Sequence, residues 1–331
     1  MRLTSPDRPV VHLAASAGGH LDLLSWVQDA FREFDCVWVV PSGPRAYALV
    51  ASGETVREIP DTGRRLGTFL SNLRASFSVI LRDRPRVVVT SGAGCVVAFA
   101  VLSRIVGAKV IFVETMARVT NPSKSGRLLS RVATEVFVQW PDMQRIYRGS
   151  TVCRPALCED VAPPSRYGEG TFVAVGTHGE PFDRLLKLVD EAAGAGLLPG
   201  PIVAQTGVST YQPCNFVPVP WLEPAELELL VERSRYVVCH AGSGLISGAL
   251  RAGRRPLVLA RLQRYGEHFD DHQLQLSTRL GELGLVVQLT DSITAEDLHA
   301  ADAGPAPAEL ADTLPSVEQA LADTLAGLVV C

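Results

Sequence analysis

Residues 236–244, YVVCHAGSG, constrain the fold more than any other stretch of the chain. The short apolar run Tyr236–Cys239 predicts a buried strand. The turn His240-Ala-Gly-Ser-Gly244 runs straight into a helix expected over 245–252. Gly253 stops that helix, and a second strand is expected at 256–259. A strand feeding a glycine turn at a helix N-terminus is built to hold an anion. Glycines let the backbone approach, and unpaired N–H groups and the helix dipole face the ligand.

The same order recurs along the chain. Val10–Ala15 precedes the turn Ser16-Ala-Gly-Gly-His20 and an apolar-periodic helix over 21–34. A strand at 37–40 precedes a turn at 41–44, and a long helix over 69–81 ends at the Arg82–Pro85 break. Val87–Thr90 precedes Ser91-Gly-Ala-Gly94 and an apolar helix over 95–105. Strands are then expected at 109–113 and 136–139, separated by the polar loop 114–126 and a helix starting at Gly126. A second alternation starts at the strand 171–175, with its turn at 176–181 and a helix over 182–193. It continues through strands 202–205 and 216–219 and a helix over 223–233. A late strand is expected at 286–289, a short helix over 294–301 with a capping box at Thr294 and Asp297, and a final helix over 314–328. Continuous apolar strands alternating with helices argue for parallel sheets covered on both faces.

A chain of 331 residues is long enough for two ordinary domains. The Pro-, Gly- and charge-rich stretch 155–170 marks the boundary. The expected division is a first domain over 1–157, a linker over 158–170, and a second domain over 171–331 that includes the C-terminal helix. Two facing doubly wound domains would line a cleft with their glycine turns, because strand C-terminal ends point there.

The composition, 47% hydrophobic and 20% charged, is that of a soluble globular enzyme, and the net charge of −4 argues against general nucleic-acid binding. Seven cysteines, odd in number and without a CxxC pair, read as buried thiols in a reducing cytoplasm. The N-terminus lacks a signal-peptide core. The longest apolar run is broken by Arg104 and Lys109, so no membrane span is expected. The expected location is cytoplasmic, with peripheral contact at the inner membrane face left open.

Each candidate residue has a plain structural reading beside its functional one. His20, at the end of its turn, suits a general base near neutral pH or a phosphate donor, and otherwise solvates the helix start. Gly18, Gly19, Ser91, Gly92 and Gly94 permit close backbone approach, or form ordinary strand-to-helix turns. Glu114 with Arg118, Asn121, Ser123, Lys124 and Arg127 combines a carboxylate with cations, or forms a solvated loop. Gly176, Thr177, His178 and Gly179 could present donors to a diphosphate. His240, Ala241, Gly242, Ser243 and Gly244 form the strongest anion cradle. They lack the GxxxxGK[ST] pattern of an ATP-hydrolysing loop and the full GxGxxG of a dinucleotide oxidoreductase. Glu267, His268, Asp270, Asp271, His272 and Gln273 suggest metal ligands at first sight. A His268/His272 pair at i, i+4 needs a helix, whereas Gly266 and the preceding Arg-Tyr argue for a loop, so no metal is expected. Asp271 and Gln273 suit sugar hydroxyls instead, or an acidic helix start.

The motifs ASAGGHL (15–21), SGAG (91–94), the block from Glu114 to Leu129 and FVQWP (137–141), then FVAVGT (172–177), PFDRLL (181–186), HAGSG (240–244) and GEHFDDHQ (266–273), together resemble one family. It is the bacterial PssD/PssE-type exopolysaccharide glycosyltransferases, relatives of the eukaryotic dolichol-diphosphate GlcNAc transferase and of MurG. The first group looks like the acceptor-side subunit and the second like the donor-side subunit, fused here in one chain. The resemblance implies a GT-B fold, two Rossmann-like domains facing a central cleft. It also implies inverting, metal-independent transfer of a hexose, GlcNAc or glucuronate from a nucleoside-diphosphate sugar, usually UDP, with that sugar as co-substrate and no cofactor. The implied acceptor is a polyprenyl-diphosphate-linked saccharide. His20 is then the expected base, with Glu114 second; His240, Ser243 and Gly244 hold diphosphate, and Asp271, His272 and Gln273 hold the sugar. The chain departs from the family at Gly248, where relatives carry a ribose-holding Glu, and at His178, where Thr or Ser is usual. A soluble secondary-metabolite acceptor, a non-catalytic nucleotide-sugar-binding subunit and a sugar-nucleotide epimerase are the alternative readings.

Overall fold

Parallel strand pairing organises both halves of the computed structural model, which describes residues 8–62, 66–165, 168–306 and 314–329. The chain divides into two units, residues 1–156 with 313–331, and 157–312.

The first unit runs β1 (Val10–Ala15), α1 (Gly19–Trp26), β2 (Asp35–Pro41), α2 (Pro44–Ala51), β3 (Thr55–Ile59), α3 (Leu66–Asp83) and β4 (Val87–Gly92). It continues through α4 (Gly94–Ile105), β5 (Lys109–Val113), α5 (Lys124–Val132), β6 (Glu135–Val138), α6 (Pro141–Gln144) and β7 (Thr151–Val152). The sheet order is β3-β2-β1-β4-β5-β6-β7, with every recorded pairing parallel. Buried Val, Ile, Leu and Phe on both faces of the central strands, such as Leu13, Val39, Val89 and Phe112, form its core.

The second unit runs β8 (Thr171–Ala174), α7 (Asp183–Gly194), β9 (Ile202–Gln205), β10 (Val217–Val219), α8 (Pro224–Arg233) and β11 (Tyr236–His240). Then come α9 (Ser243–Arg251), β12 (Leu257–Leu259), α10 (His272–Glu282), β13 (Val287–Gln288) and α11 (Ala295–Asp302). Its order is β10-β9-β8-β11-β12-β13, again parallel. One sheet face packs Val173, Val238 and Leu257 with α7 residues Leu185 and Val189. The other packs Phe172, Ala174 and Val237 with Val231 and Ala249 of α8 and α9. The expected capping box is present: the Asp297 amide donates to Thr294 Oγ1 at 3.2 Å and the Thr294 amide to Asp297 Oδ2 at 2.8 Å.

Four expectations are corrected. The helix expected over 21–34 ends at Trp26 and gives way to a 3₁₀ turn, Gln28–Phe31. The stretch read as a turn at 41–44 opens α2, with Pro44 at the first helical position, and leads to the edge strand β3. That strand, TVREI, is only half-buried, so it lacks the continuous apolar run that marks central strands.

The stretch expected to be a linker is strapped to the second unit. Ala162 N–H donates to Leu250 O at 3.0 Å, Ser165 N–H to Gly253 O at 2.9 Å, and Glu169 N–H to Arg233 O at 2.9 Å; residues 166–167 lie outside the described residues. Finally, the C-terminal helix α12 (Val317–Val329) joins the first unit and not the second. It packs on the 3₁₀ turn Gln28–Phe31, and the Arg154 amide donates to Pro315 O at 2.9 Å. Local pattern predicted a helix there but carries no information on which sheet its apolar face covers.

Candidate functional site

Each sheet reverses its strand order once, between β1 and β4 in the first unit and between β8 and β11 in the second. Ligands of doubly wound sheets bind beyond the strand C-terminal ends at such a switch point. In both units the two turns flanking it are glycine turns singled out from the sequence.

In the first unit Ala15 pairs with Gly92, which sets the 16–20 turn beside the 91–94 turn. His20 sits in the first turn of α1, half-buried. Its Nδ1 lies 2.8 Å from Ser91 O, and Ser91 Oγ donates to His20 O at 2.8 Å. A carbonyl only accepts, so Nδ1 carries the proton of the neutral ring and Nε2 is the basic nitrogen. Gly18 has φ of 84°, and a Cβ on Gly92, whose φ is 94°, would stand 3.8 Å from His20 Cε1. Gly19 opens α1 and Gly94 opens α4.

The 114–126 loop follows β5. Glu114 is in the interior, 1% exposed. Tyr147 Oη donates to Glu114 Oε2 at 2.6 Å, and the Thr115 amide donates to Oε1 at 3.1 Å. Burial drives the Glu114 pKa upward, against the hydrogen bond from Tyr147. At 1% exposure its carboxyl is enclosed by these bonds. The FVQWP block completes the clamp: Gln139 Nε2 donates to Glu114 O at 2.9 Å and Trp140 Nε1 to Met116 O at 2.6 Å.

Ser123 caps α5, accepting from the Gly126 amide at 2.8 Å. A Cβ on Gly126 would overlap Tyr147 Oη, Glu114 Oε2 and Ser123 Oγ, so the close approach requires glycine. Lys124 and Arg127 are exposed on the first turn of α5, and Arg118 is half-buried in the loop. Tyr147 was not foreseen; nothing in its local sequence ties it to Glu114. The Tyr147→Phe variant removes the donor to a buried carboxyl oxygen and is expected to lose about 1–3 kcal/mol of stability, read by urea denaturation.

In the second unit the turns 176–181 and 240–244 meet over one ring. A Cβ on Gly176, whose φ is 85°, would stand 2.5 Å from His240 Nε2, and a Cβ on Gly242 would overlap the same ring. His240 Nδ1 is buried. Burial, and then the Arg261 guanidinium, push the His240 pKa down to about 3, so the ring is neutral at pH 7. Gly242 is the N-cap of α9, and no side chain caps the helix, which starts at Ser243 and Gly244; Ala241 is buried. Gly242 has φ of −89°, so alanine there is opposed by overlap alone. The Gly242→Ala variant is expected to lose about 1–3 kcal/mol, measured by chemical denaturation, because the His240 ring must move.

Arg261, fully buried at 0% exposure, ties this region together. Its Nη1 donates to Glu180 O at 2.8 Å, Pro181 O at 3.3 Å and Glu267 O at 3.1 Å, and its Nη2 to Val175 O at 2.8 Å. Burial lowers its pKa to about 10, and Glu267 opposes the shift; it remains a cation at neutral pH. Arg184 adds a fork to Glu267, at 3.0 and 2.8 Å, and donates to Ala260 O at 2.6 Å. Sequence reading missed both arginines. The available signal for Arg261 was a charged residue directly after the buried run Pro256–Ala260, where a strand ends in a loop.

The 266–273 residues divide by role. Glu267 and Gln273 are buried and engaged: Glu267 Oε2 accepts from the Leu262 amide at 3.0 Å, and Gln273 Oε1 from the Arg261 amide at 3.2 Å. Asp271 is exposed as the N-cap position of α10 and accepts from the Gln263 amide at 2.8 Å. Thr177 is exposed, and the His178 ring stacks on His268 at 4.6 Å between centroids. His268 and His272 come together although no helix spans both, because the loop before α10 folds back at Asp270. That overturns the geometric reason for setting the pair aside.

Residues 57–154 match the family model described as "Oligosaccharide biosynthesis protein Alg14 like". The chain is 37% identical over 93 residues to the UDP-N-acetylglucosamine transferase subunit ALG14 of Eremothecium gossypii, covering 24% of this chain and 42% of that protein. It is 34% identical over 86 residues to the Homo sapiens protein of the same name, covering 24% and 40%. The chain thus spans about two fifths of the length of these curated relatives.

Solved structures match almost end to end. Acinetobacter baumannii MurG has a TM-score of 0.64 at 18% identity, covering 97% of this chain and 99% of that one. The glycosyltransferase SnogD of Streptomyces nogalater has 0.58 at 16%, covering 97% and 99%. UDP-N-acetylglucosamine 2-epimerase of Rickettsia bellii has 0.63 at 11%, covering 98% and 96%. Two successive doubly wound parallel sheets with these counterparts give the chain the GT-B glycosyltransferase fold, with an Alg14-like stretch in its first unit.

Proposed function

We propose that the chain is an inverting glycosyltransferase that moves a GlcNAc- or hexose-class sugar from a uridine-diphosphate carrier to a hydroxyl of a polyprenyl-diphosphate-linked saccharide. The observation that carries this reading is the combination in one chain of an Alg14-like stretch and a second doubly wound unit with its own glycine anion turn. The curated relatives are named as subunits of a UDP-N-acetylglucosamine transferase, which supports the donor class.

The chemistry needs a base and a cradle for the leaving group. His20 Nε2 takes the acceptor hydroxyl proton as that oxygen attacks the anomeric carbon. The bond from that carbon to the diphosphate oxygen breaks with inversion. The charge on the departing diphosphate is met by N–H groups of the 240–244 turn and the first turn of α9, with Gly176, Thr177 and His178 beside them. The sugar lies toward Asp271 and His272. Arg118, Ser123, Lys124 and Arg127 serve the acceptor's own phosphates. The reading asks for no cofactor beyond the nucleotide sugar.

No helix among the described residues is long and apolar enough to cross a membrane. Support for a lipid-linked acceptor comes from α3, which exposes Phe69, Leu70, Phe77 and Leu81 beside Arg74 and Arg82, an apolar face with basic flanks suited to anionic lipid. A second reading, a nucleotide-sugar-binding partner subunit without activity of its own, is favoured by the word "subunit" in the relatives' names.

One screen separates them. The purified full chain is incubated with UDP-, GDP- and dTDP-sugars, with and without a polyprenyl-diphosphate-linked acceptor. Acceptor-dependent UDP release is the expected result. Saturable UDP-sugar binding with no turnover identifies the subunit, and isomerised donor sugar identifies an epimerase.

A further inference from the structure

The segment that folds back before α10 holds a cluster that the transfer reaction does not use as a unit. His268 Nδ1 and His272 Nδ1 both approach one oxygen, Asp270 Oδ1, at 3.3 and 2.5 Å. One ligand-type atom from each of the three residues lies within 4.8 Å of the others. His268 is 8% exposed, and His272 and Asp270 are half-buried. The rings of His268 and His272 cross edge to face with centroids 4.6 Å apart, and His178 stacks on the other side of His268.

We propose that His268, Asp270 and His272 form a binding site for a divalent cation of the zinc class. The donor set selects the ion. Two imidazoles and one carboxylate suit zinc and the later first-row metals, whereas calcium and magnesium require mostly oxygen ligands. The spacing suits it as well: ligands about 2.0–2.2 Å from a tetrahedral zinc stand roughly 3.3–3.6 Å apart. The His268 Nδ1–Asp270 Oδ1 separation of 3.3 Å lies in that range, and the 2.5 Å between His272 Nδ1 and Asp270 Oδ1 is a hydrogen bond that metal binding would open.

The frame around the cluster is already held. Glu267 is forked by Arg184, Arg261 Nη1 binds Glu267 O, and Asp271 accepts from the Gln263 amide. Residues on both sides of the three ligands are therefore pinned before any ion arrives. Imidazoles bind metal in their neutral form. The ion is given no step in sugar transfer; it draws on His272, which the transfer reading places beside the donor sugar, and titration with zinc alone tests it without that reading.

The test uses the full chain, stripped with EDTA, dialysed and titrated with zinc chloride in a calorimeter. About one equivalent is expected to bind, and His268→Gln and His272→Gln are each expected to weaken it by at least roughly tenfold, the lower end of what perturbing a metal site costs. Asp270→Asn keeps the side-chain shape and is expected to weaken binding similarly; circular dichroism checks that each variant is folded. Cobalt substitution gives a second readout, a visible spectrum without a thiolate charge-transfer band.

Absence of zinc binding overturns the proposal. So does affinity within twofold of wild type in all three variants. A thiolate band overturns it too, since it would move the ion to a cysteine such as the exposed Cys214.

Discussion

His20→Ala is expected to lower turnover by about two to four orders of magnitude while leaving nucleotide-sugar affinity within roughly a factor of two. The ring is held for this task by two bonds to one neighbour. Its Nδ1 donates to Ser91 O at 2.8 Å, and Ser91 Oγ donates back to His20 O at 2.8 Å. The first bond sets the tautomer that leaves Nε2 basic, and the second fixes the turn that carries the ring. Glu114 is less suited to the task, its carboxyl being buried and bonded to Tyr147. The split between turnover and donor affinity is the discriminating measurement, since a structural role for His20 would disturb folding or both constants together. Turnover near wild type in His20→Ala removes it as the base.

Arg261→Met is expected to cost on the order of 3–5 kcal/mol and to abolish nucleotide-sugar binding. Methionine fills much of the volume and can lie against Phe182, over whose ring the guanidinium sits at 4.7 Å. It cannot donate to the carbonyls of Val175, Glu180, Pro181 and Glu267, which Arg261 now serves. Those carbonyls belong to three segments: the end of the first strand of the second unit, the turn after it, and the loop before α10. Without the arginine the segments lose their common partner, and the turn over His240 loses its position. Arg261→Lys should recover only part of the loss, since an ammonium cannot reproduce the planar fork. Calorimetric titration with UDP and urea denaturation check both effects. Stability within about 0.5 kcal/mol of wild type contradicts the role assigned to Arg261.

Much of the fold was legible because central strands here are largely apolar runs followed within a few residues by glycine. Val10–Ala15, Val87–Thr90, Thr171–Val175 and Tyr236–Cys239 were expected as strands, and the structure has β1, β4, β8 and β11 at those places. Elements that are only half-buried were missed. β3 sits at a sheet edge, and α2 starts where Pro44 reads equally well as a turn. α10 carried a periodic signal in Leu276 and Leu280, but the polar residues ahead of it read as a loop.

The candidate site was legible as residue types and not as roles. Glycines 176 and 242 stood out as anion-turn residues, yet their contact with the His240 ring depends on two strands far apart in the chain becoming neighbours. Glu114 read as a candidate base or as part of a solvated loop; its enclosure by Tyr147, 33 residues later, was not legible. Gln273 read as a sugar ligand, and its side-chain oxygen holds the Arg261 amide.

The sequence by itself determined the alternation of strands and helices, the parallel character of both sheets, and the glycine turns at the strand ends. These follow from local periodicity and backbone freedom, which a single stretch of chain carries. Only the tertiary structure decided which turns flank a switch point, which unit the C-terminal helix α12 covers, and which polar side chains face inward. It also decided that His268, Asp270 and His272 converge without a helix spanning them. Those outcomes depend on pairings between distant segments, and a buried polar group's partners are set by whatever packing brings within about 3 Å of it.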